Sequence, residues 1–143
     1  MKIFYFDTSH AIQTHDWIIE NSGGRAGNRE IGLLDSALEH IQNDMYYPSF
    51  MEKLKHLIIA VNKFHPFNDG NKRSSLVLGA YFLELNGYDY CIDKFIYEME
   101  EIVVWLAKSK IDDELLLDII QSIIEEDEFD ESLKLRIIEA VWE

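Results

Sequence analysis

The feature that most constrains the fold is the spacing of apolar residues, which recur every three or four positions along nearly the whole chain. This spacing places apolar side chains on one face of an α-helix. Turn-forming residues separate the successive segments, and the sequence contains no internal repeat and no linker long enough to divide domains. The pattern predicts one mostly α-helical domain over residues 1–143, a length ordinary for a single domain.

The predicted helices follow from their apolar faces and from their start and stop residues. The first runs from the cap Thr8 to near Asn21, and the second from about Glu30 to the break at Tyr46-Tyr47-Pro48. The third carries Leu54, Leu57, Ile58, Val61 and Phe64 and ends near His65, and the fourth runs from about Asn71 to Asn86-Gly87. Three further helices open at Asp93, at Asp112-Asp113-Glu114 and at the cap Ser132. The third helix must stop near His65, because a proline disfavours helical geometry in the residue before it.

Two loops between these helices carry unusual composition. The first contains Gly23, Gly24, Arg25 and Gly27, and we refer to residues 23–28 as the glycine loop. The second lies within the string His65-Pro66-Phe67-Asn68-Asp69-Gly70-Asn71-Lys72-Arg73, which joins the third helix to the fourth. We refer to residues 65–70 as the motif loop.

The charge of the chain is large and uneven. It has 13 Lys and Arg residues against 27 Asp and Glu residues, a formal net charge of -14. This argues against a nucleic-acid binder, since affinity for phosphate backbones depends on clustered cations. Residues 53–73 nevertheless hold five basic residues and one acid, a local charge of +4, whereas residues 112–143 sum to -10. The basic segment predicts a local anion site.

Cysteine usage and hydropathy limit the compartment. Cys91 is the single cysteine, which excludes a disulfide framework and fits a reducing environment. No apolar run approaches the ~20 residues of a membrane span, and the run within residues 1–7 is too short for a secretory signal. We therefore expect a cytoplasmic protein with no membrane partner.

The start of the fourth helix has the properties of an anion site. The first amides of a helix have no intrahelical partner and carry partial positive charge. Gly70 allows a sharp turn, so that the amides around residues 70–73 can cradle phosphate oxygens. Lys72 and Arg73 add two cations in the first turn, where they oppose the dipole of their own helix. An anionic ligand would compensate them.

Two further side chains of the same string suit group transfer. Histidine titrates close to neutral pH, so His65 suits a general base that takes a hydroxyl proton. Asp69 is the one acid in the basic segment, and Mg²⁺ is commonly held by one or two carboxylates together with waters and phosphate oxygens. A base, a metal carboxylate, a cradle of amides and two cations are the parts that phosphoryl or nucleotidyl transfer needs.

Other readings of these residues remain open at this point. The string is also compatible with a plain corner between two helices, with Pro66 as the stop and Lys72 on the surface. The pair His15-Asp16 suggests a metal phosphohydrolase of the HD type, although His10 is poorly placed as a second ligand. The alternative for His15 and Asp16 is a structural role beneath the motif loop. A catalytically silent protein that captures a nucleotide or a partner is a third reading.

The string resembles the signature of the Fic/Doc family, His-Pro-Phe-x-Asp/Glu-Gly-Asn-x-Arg, at every specified position. The resemblance extends over roughly residues 10–90. Upstream, His15-Asp16, Gly23-Gly24, Gly27 and the segment Gly32-Leu33-Leu34-Asp35-Ser36-Ala37-Leu38 look like the Doc (death-on-curing) branch. The resemblance implies a compact all-α Fic-type domain, with a short flap loop and an active-site loop between two central helices.

The resemblance also implies roles for individual residues. His65 would activate a hydroxyl of a target protein, and Asp69 would hold Mg²⁺. Gly70 and Asn71 would belong to the anion-binding cradle, with Lys72 beside them and Arg73 on the phosphates of ATP. In the family a flap aligns the target segment by backbone pairing, and the glycine loop, with Gly23, Gly24, Arg25 and Gly27, is the candidate for this part.

Two positions distinguish the branches of the family. Fic enzymes that transfer AMP usually have glycine where this chain has Lys72, and a second arginine where it has Leu76. The Doc branch shows the pattern found here, and the toxins of that branch are protein kinases that bind ATP in the reverse sense. The resemblance therefore favours a Doc-like toxin that phosphorylates a Ser or Thr of a cytosolic protein such as a translation elongation factor, with a cognate antitoxin. AMP transfer is the alternative.

Regulation and assembly stay undecided by the sequence. Some family members inhibit themselves through a helix with a Ser/Thr-x-x-x-Glu pattern, and Ser122 with Glu126 has that spacing. Such spacing also arises by chance within an amphipathic helix, so that inhibition by a separate antitoxin is the preferred reading. The oligomeric state is open, because helices that bury a core and helices that bury an interface show the same pattern.

Overall fold

The computed structural model describes residues 2–142 and is built of α-helices. Seven α-helices occur within these residues, and a short 3-10 turn at Asp89–Cys91 precedes the fifth. In order they are α1 Thr8–Ser22, α2 Ile31–His40, α3 Phe50–Lys63, α4 Asn71–Leu85, α5 Ile92–Ala107, α6 Asp113–Glu125 and α7 Glu131–Val141. The predicted all-α class is confirmed. The assignment of the whole chain to one domain stays a prediction.

Helix α3 forms the centre of the fold. Residues 57–62, near its C-terminal end, are all buried, so the helix is surrounded on every side, as expected for a helix that is apolar all round. It packs against α2, α4, α5 and α6. The motif loop joins the end of α3 to the start of α4, so both helices that flank it belong to the core.

Two predicted helix caps are wrong, and in both cases an aspartate nearby takes the place. Asp7, and not Thr8, caps α1 by accepting a hydrogen bond from the His10 amide at 2.9 Å. Thr8 instead donates its hydroxyl to Asp35 at 2.6 Å. Asp130 caps α7, and Ser132 lies inside its first turn. An ionised carboxylate accepts an amide more strongly than a hydroxyl does.

Two other boundaries also differ from the prediction. Helix α2 ends at His40, well before Tyr46, because Lys53 donates from α3 to the carbonyl of Ile41 at 2.6 Å and to Asp44 at 2.8 Å. These bonds hold the chain in a turn. Helix α5 starts at Ile92, and the 3-10 turn continues into it, so Asp93 lies in the first turn of α5.

Within residues 2–142, none of the helices has both the length and the hydrophobicity of a bilayer-spanning segment.

Candidate active site

The motif loop begins with a residue in an unusual backbone conformation. Helix α3 ends at Lys63, and His65 has a φ of 52°, in the left-handed region that favours glycine. Pro66 follows and is buried. It has no backbone N–H to donate a further helical hydrogen bond. The chain therefore turns sharply, and the exposed His65 side chain stands at the end of a rigid core helix.

Phe67 and Asn71 hold the middle of the motif loop. Phe67 is fully buried, and Asn71 clamps its backbone, accepting from the Phe67 amide at 3.2 Å and donating to its carbonyl at 3.0 Å. The side chain of Asn71 is thus occupied within the protein. Only its backbone amide, in the first turn of α4, is left for the anion cradle that the resemblance implies.

The glycine loop and the two residues after it pair with the motif loop. Asn28 and Phe67 form an isolated antiparallel bridge. The amides of Arg29 and Glu30 donate to the carbonyls of Pro66 and His65 at 2.8 and 2.9 Å, and the Asn68 amide donates to Gly27 at 3.0 Å. Because these bonds follow one another along both segments, residues 27–30 fix the backbone on which His65 stands.

Asp69 is held by backbone amides from both loops. Its carboxylate accepts from the Arg25 amide at 3.0 Å and from the Gly70 amide at 2.8 Å. These two hydrogen bonds, with the nearby Arg73 and Arg25 cations, lower the pKa of Asp69 below its ordinary value. Asp69 is therefore a carboxylate at neutral pH, as a cation ligand has to be.

Gly24 permits the close approach of the two loops. Its φ is +118°, and a Cβ placed there would lie 2.7 Å from Oδ2 of Asp69 and 3.0 Å from the guanidinium of Arg73. No other residue fits without moving one of these groups. The glycine that the sequence placed in a possible flap therefore also has a packing role against the site.

His15 supports the motif loop from beneath. It is fully buried, its Nε2 lies 2.6 Å from the carbonyl oxygen of Asp69, and its ring stacks on that of Phe67 at 3.8 Å with an angle of 4°. Since a carbonyl can only accept, Nε2 carries the proton. The predicted structural role of His15 beneath the active loop is confirmed.

Arg73 connects α4 to the end of α1. Its Nη1 donates to the Ser22 hydroxyl at 2.6 Å and to the Gly23 carbonyl at 2.8 Å. One nitrogen of the guanidinium is thus committed to the protein. Lys72, its neighbour, is exposed at the start of α4.

These residues surround a cavity of about 380 Å³ at the N-terminal end of α4. Its lining consists of Arg29, Asn62, His65, Asn68, Asp69, Gly70, Asn71, Lys72, Arg73 and Ala107. All the predicted catalytic, phosphate-binding and metal residues are among them. Gly23, Gly24, Arg25 and Gly27 do not line it, although Gly24 and Arg25 contact Asp69 from outside.

Four lining residues were not assigned to the site from the sequence, namely Arg29, Asn62, Asn68 and Ala107. Arg29 looks like any surface arginine near a glycine-rich loop, and only its backbone bond to Pro66 brings it to the site. Asn62 is buried in α3, where it donates to Ser75 at 3.2 Å and to the Val103 carbonyl at 3.0 Å. A polar residue on a buried helix face was the one available signal.

The residues behind two of the other readings lie elsewhere. Ser122 is buried in α6 and Glu126 follows that helix; neither borders the cavity of His65. His10 stacks on Tyr81 at 4.3 Å while His15 holds the motif loop. Among residues 2–142, no three His, Cys, Asp or Glu side chains are grouped to hold a metal ion, so an HD-type metal centre has no ligand set there.

Comparison with known proteins shows the family of the chain. The model of the Fic/DOC family matches residues 5–83, which include α1 to α3, both loops and all but the last two residues of α4. No curated protein matches the chain. The chain therefore belongs to the Fic/DOC family, whose members are typically enzymes that transfer part of a nucleotide, and it is a Fic-type protein-modifying enzyme.

The family generally uses ATP with Mg²⁺, and the site fits this pair. Asp69 is one ionised carboxylate at the cavity. Mg²⁺ is often held by one or two carboxylates plus phosphate oxygens and waters, without an all-protein cage. A single aspartate beside a phosphate cradle is therefore an adequate donor set, with Asp69 as the residue that would hold the ion.

Proposed function

We propose that this protein transfers the terminal phosphoryl group of ATP to a serine or threonine hydroxyl of another protein. The observation that carries the proposal is the cavity at the start of α4. It combines an exposed histidine, one carboxylate, free helix amides and two cations, namely His65, Asp69, Lys72 and Arg73. The phosphates bind at the N-terminal end of α4, where the dipole and the cations attract them.

The reaction needs one proton transfer and one exchange of bonds. His65 takes the proton of the target hydroxyl as its oxygen attacks the γ-phosphorus of ATP. A new oxygen–phosphorus bond forms, the bond between the γ-phosphorus and the bridging oxygen breaks, and ADP leaves. Asp69 would hold Mg²⁺, which would neutralise part of the phosphate charge when bound.

The choice of phosphoryl transfer rests on two positions. Lys72 borders the cavity, where AMP-transferring relatives usually have glycine, and its ammonium adds charge at the cradle. Leu76 is an apolar residue that packs against the hydrophobic core. The position at which AMP-transferring relatives usually carry a second arginine therefore holds no guanidinium here. Lys72 and Leu76 are also the two positions at which the chain resembles the Doc branch. AMP transfer, with attack at the α-phosphorus and release of pyrophosphate, is the second candidate.

The biological role that we propose follows the same branch. The protein acts in the cytoplasm as a toxin of a toxin–antitoxin pair, on a target such as a translation elongation factor, and a cognate antitoxin neutralises it. The glycine loop aligns the target segment. Residues 27–30 pair with the motif loop, which holds the end of the glycine loop beside His65, where the target hydroxyl would bind.

Labelled ATP separates the two transfer reactions. The full chain is incubated with cytosolic proteins, Mg²⁺ and ATP labelled at either the α- or the γ-phosphate, and modified proteins are identified by mass spectrometry. We expect label only from the γ position and a mass gain of one phosphate. Label only from the α position would replace phosphoryl transfer by AMP transfer.

A variant of His65 tests the alternative that the protein has the fold but no catalytic activity. His65→Ala should lower the transfer rate by about 10²–10⁴-fold, the usual contribution of a general base, and should relieve growth inhibition on overexpression. His65→Gly fits the left-handed backbone without strain, so it checks that lost activity is not lost folding. An alanine variant as active and as toxic as the wild type would contradict the enzymatic proposal.

A further inference from the structure

Arg29 is an exposed arginine at the cavity. Within residues 2–142 its guanidinium forms no hydrogen bond, ion pair or ring contact. The other arginines near the site are engaged. Arg25 donates to the Asn68 carbonyl at 3.1 Å, and Arg73 donates to Ser22 and Gly23. Arg29 therefore brings to the cavity a guanidinium whose hydrogen-bonding capacity is unused.

The backbone of Arg29 is fixed although its side chain is free. Its amide donates to the Pro66 carbonyl at 2.8 Å, and the neighbouring Glu30 amide donates to His65 at 2.9 Å. Asn28, on the other side, forms the bridge with Phe67. The side chain thus starts from a rigid point directly beside the His65-Pro66 peptide, opposite the first turn of α4.

The charges around the cavity favour an anion between these two sides. Arg29 and Lys72 contribute positive charge, and Asp69 is the one acidic residue of the lining. An arginine presents a planar set of donors that matches the oxygens of a phosphate. A polyphosphate placed against the amides of α4 would therefore meet α4 on one side and Arg29 on the other.

We infer that Arg29 binds the phosphates of the nucleotide from the side of the glycine loop. The inference rests on the proposed function, since it takes the same nucleotide in the same cavity. The phosphates then bridge α4 and the segment of residues 27–30 that supports His65.

Equilibrium binding tests the inference without the target protein. Calorimetry on the full chain compares Mg²⁺-ATP, ADP, AMP and adenosine for the wild type, Arg29→Ala and Arg29→Lys. We expect Arg29→Ala to weaken ATP binding by about 10–100-fold, as for loss of a charge-assisted hydrogen bond. The loss should shrink along the series to adenosine, and Arg29→Lys should recover part of it.

Lys55→Ala is the matched control, because it removes a positive charge from the same basic segment and Lys55 does not border the cavity. It should bind ATP like the wild type. Equal ATP affinity of Arg29→Ala and the wild type would overturn the role of Arg29 and leave the proposed function intact. An altered KM for the target with unchanged ATP affinity would also overturn it. If the wild type binds no ATP, the proposed function itself fails.

Discussion

His65 shows how a single residue can be held in a costly conformation for the sake of its position. A residue other than glycine in the left-handed region costs about 1–2 kcal/mol, and His65 adopts a φ of 52°. Hydrogen bonds from Glu30 and Arg29 to His65 and Pro66 offset this cost. The conformation ends α3 abruptly and keeps the imidazole in the open at the cavity, where a base can reach a substrate.

His15 allows a prediction about support of the site from below. His15→Leu keeps most of the packing on Phe67 but leaves the Asp69 carbonyl without its donor. We expect a loss of about 1–3 kcal/mol of stability and a lower kcat. His15→Gln, whose amide nitrogen can occupy the position of Nε2, should restore much of both. Denaturant unfolding and transfer assays at saturating ATP check this.

His10→Leu is the control for His15, because His10 stacks on Tyr81 away from the motif loop. It should leave kcat close to that of the wild type. If His15→Leu and His10→Leu change stability and kcat to the same extent, the bond from His15 to Asp69 has no particular role in positioning the site.

Among the elements, the two loops illustrate what pairing adds to a local pattern. The glycines indicate a loop at residues 23–28, and Pro66 with Gly70 indicates another. Nothing local indicates that residues 27–30 pair with residues 65–68. That pairing depends on α1 and α2 packing so that the loop between them passes over the end of α3. It brings Arg29 to the cavity, although the sequence gives no hint of it.

Lys53 is the basis of a prediction about the junction of α2 and α3. It is only 2% exposed. Burial by itself lowers its pKa, but the hydrogen bond to Asp44 and the nearby Tyr5 raise the pKa above its ordinary value, so the ammonium is charged. Lys53→Ala should cost about 2–4 kcal/mol, because the Ile41 carbonyl loses its partner and a buried stem is removed.

Lys53→Met separates these two contributions, since it keeps the stem and removes the ammonium. It should be less destabilising than alanine yet clearly less stable than the wild type in urea unfolding. Lys55→Met makes the same chemical change two residues away, at a half-buried position, and should be nearly neutral. A Lys53→Met variant as stable as the wild type would mean that the hydrogen bonds do not stabilise the junction.

At the scale of the whole molecule, the large negative charge affects stability, whereas the few cations at the cavity bear on function. The net charge of -14 opposes compaction, while Arg29, Lys72 and Arg73 place positive charge at the cavity. Raising NaCl from about 10 mM to about 150 mM shortens the screening length from about 30 to about 8 Å. Self-repulsion then weakens, and we expect Tm to rise. Thermal unfolding followed by circular dichroism measures this.

A variant of the acidic stretch provides the control for the salt effect. Glu126→Gln, Asp127→Asn and Glu128→Gln together remove three exposed charges from the connection between α6 and α7. The combined variant should have a higher Tm at low salt and a smaller rise with NaCl. A Tm that falls as salt is added would show that ion pairs such as Arg136 with Asp118, 2.7 Å apart, outweigh the general repulsion.

The sequence by itself determined the helical class, most helix positions and the central residues of the site. Apolar periodicity, Pro66 and the string from His65 to Arg73 are local signals, and their physical effects act within a few residues. The caps at Asp7 and Asp130 differ from the predicted ones because nearby side chains compete for the same amides. Helix α2 ends earlier than predicted because Lys53, from another helix, donates to the Ile41 carbonyl.

Only the tertiary structure decided which of these residues meet. The cavity is lined in part by Arg29 and Asn62. The side chains of Asn71 and Arg73 donate hydrogen bonds within the protein. His15 bonds the carbonyl of Asp69, which lies 54 positions away in the sequence. Ser122 and Glu126 have a suggestive spacing, yet they do not border the cavity. The physical reason is that spacing fixes the face of one helix, whereas the packing of helices fixes which faces and loops come together.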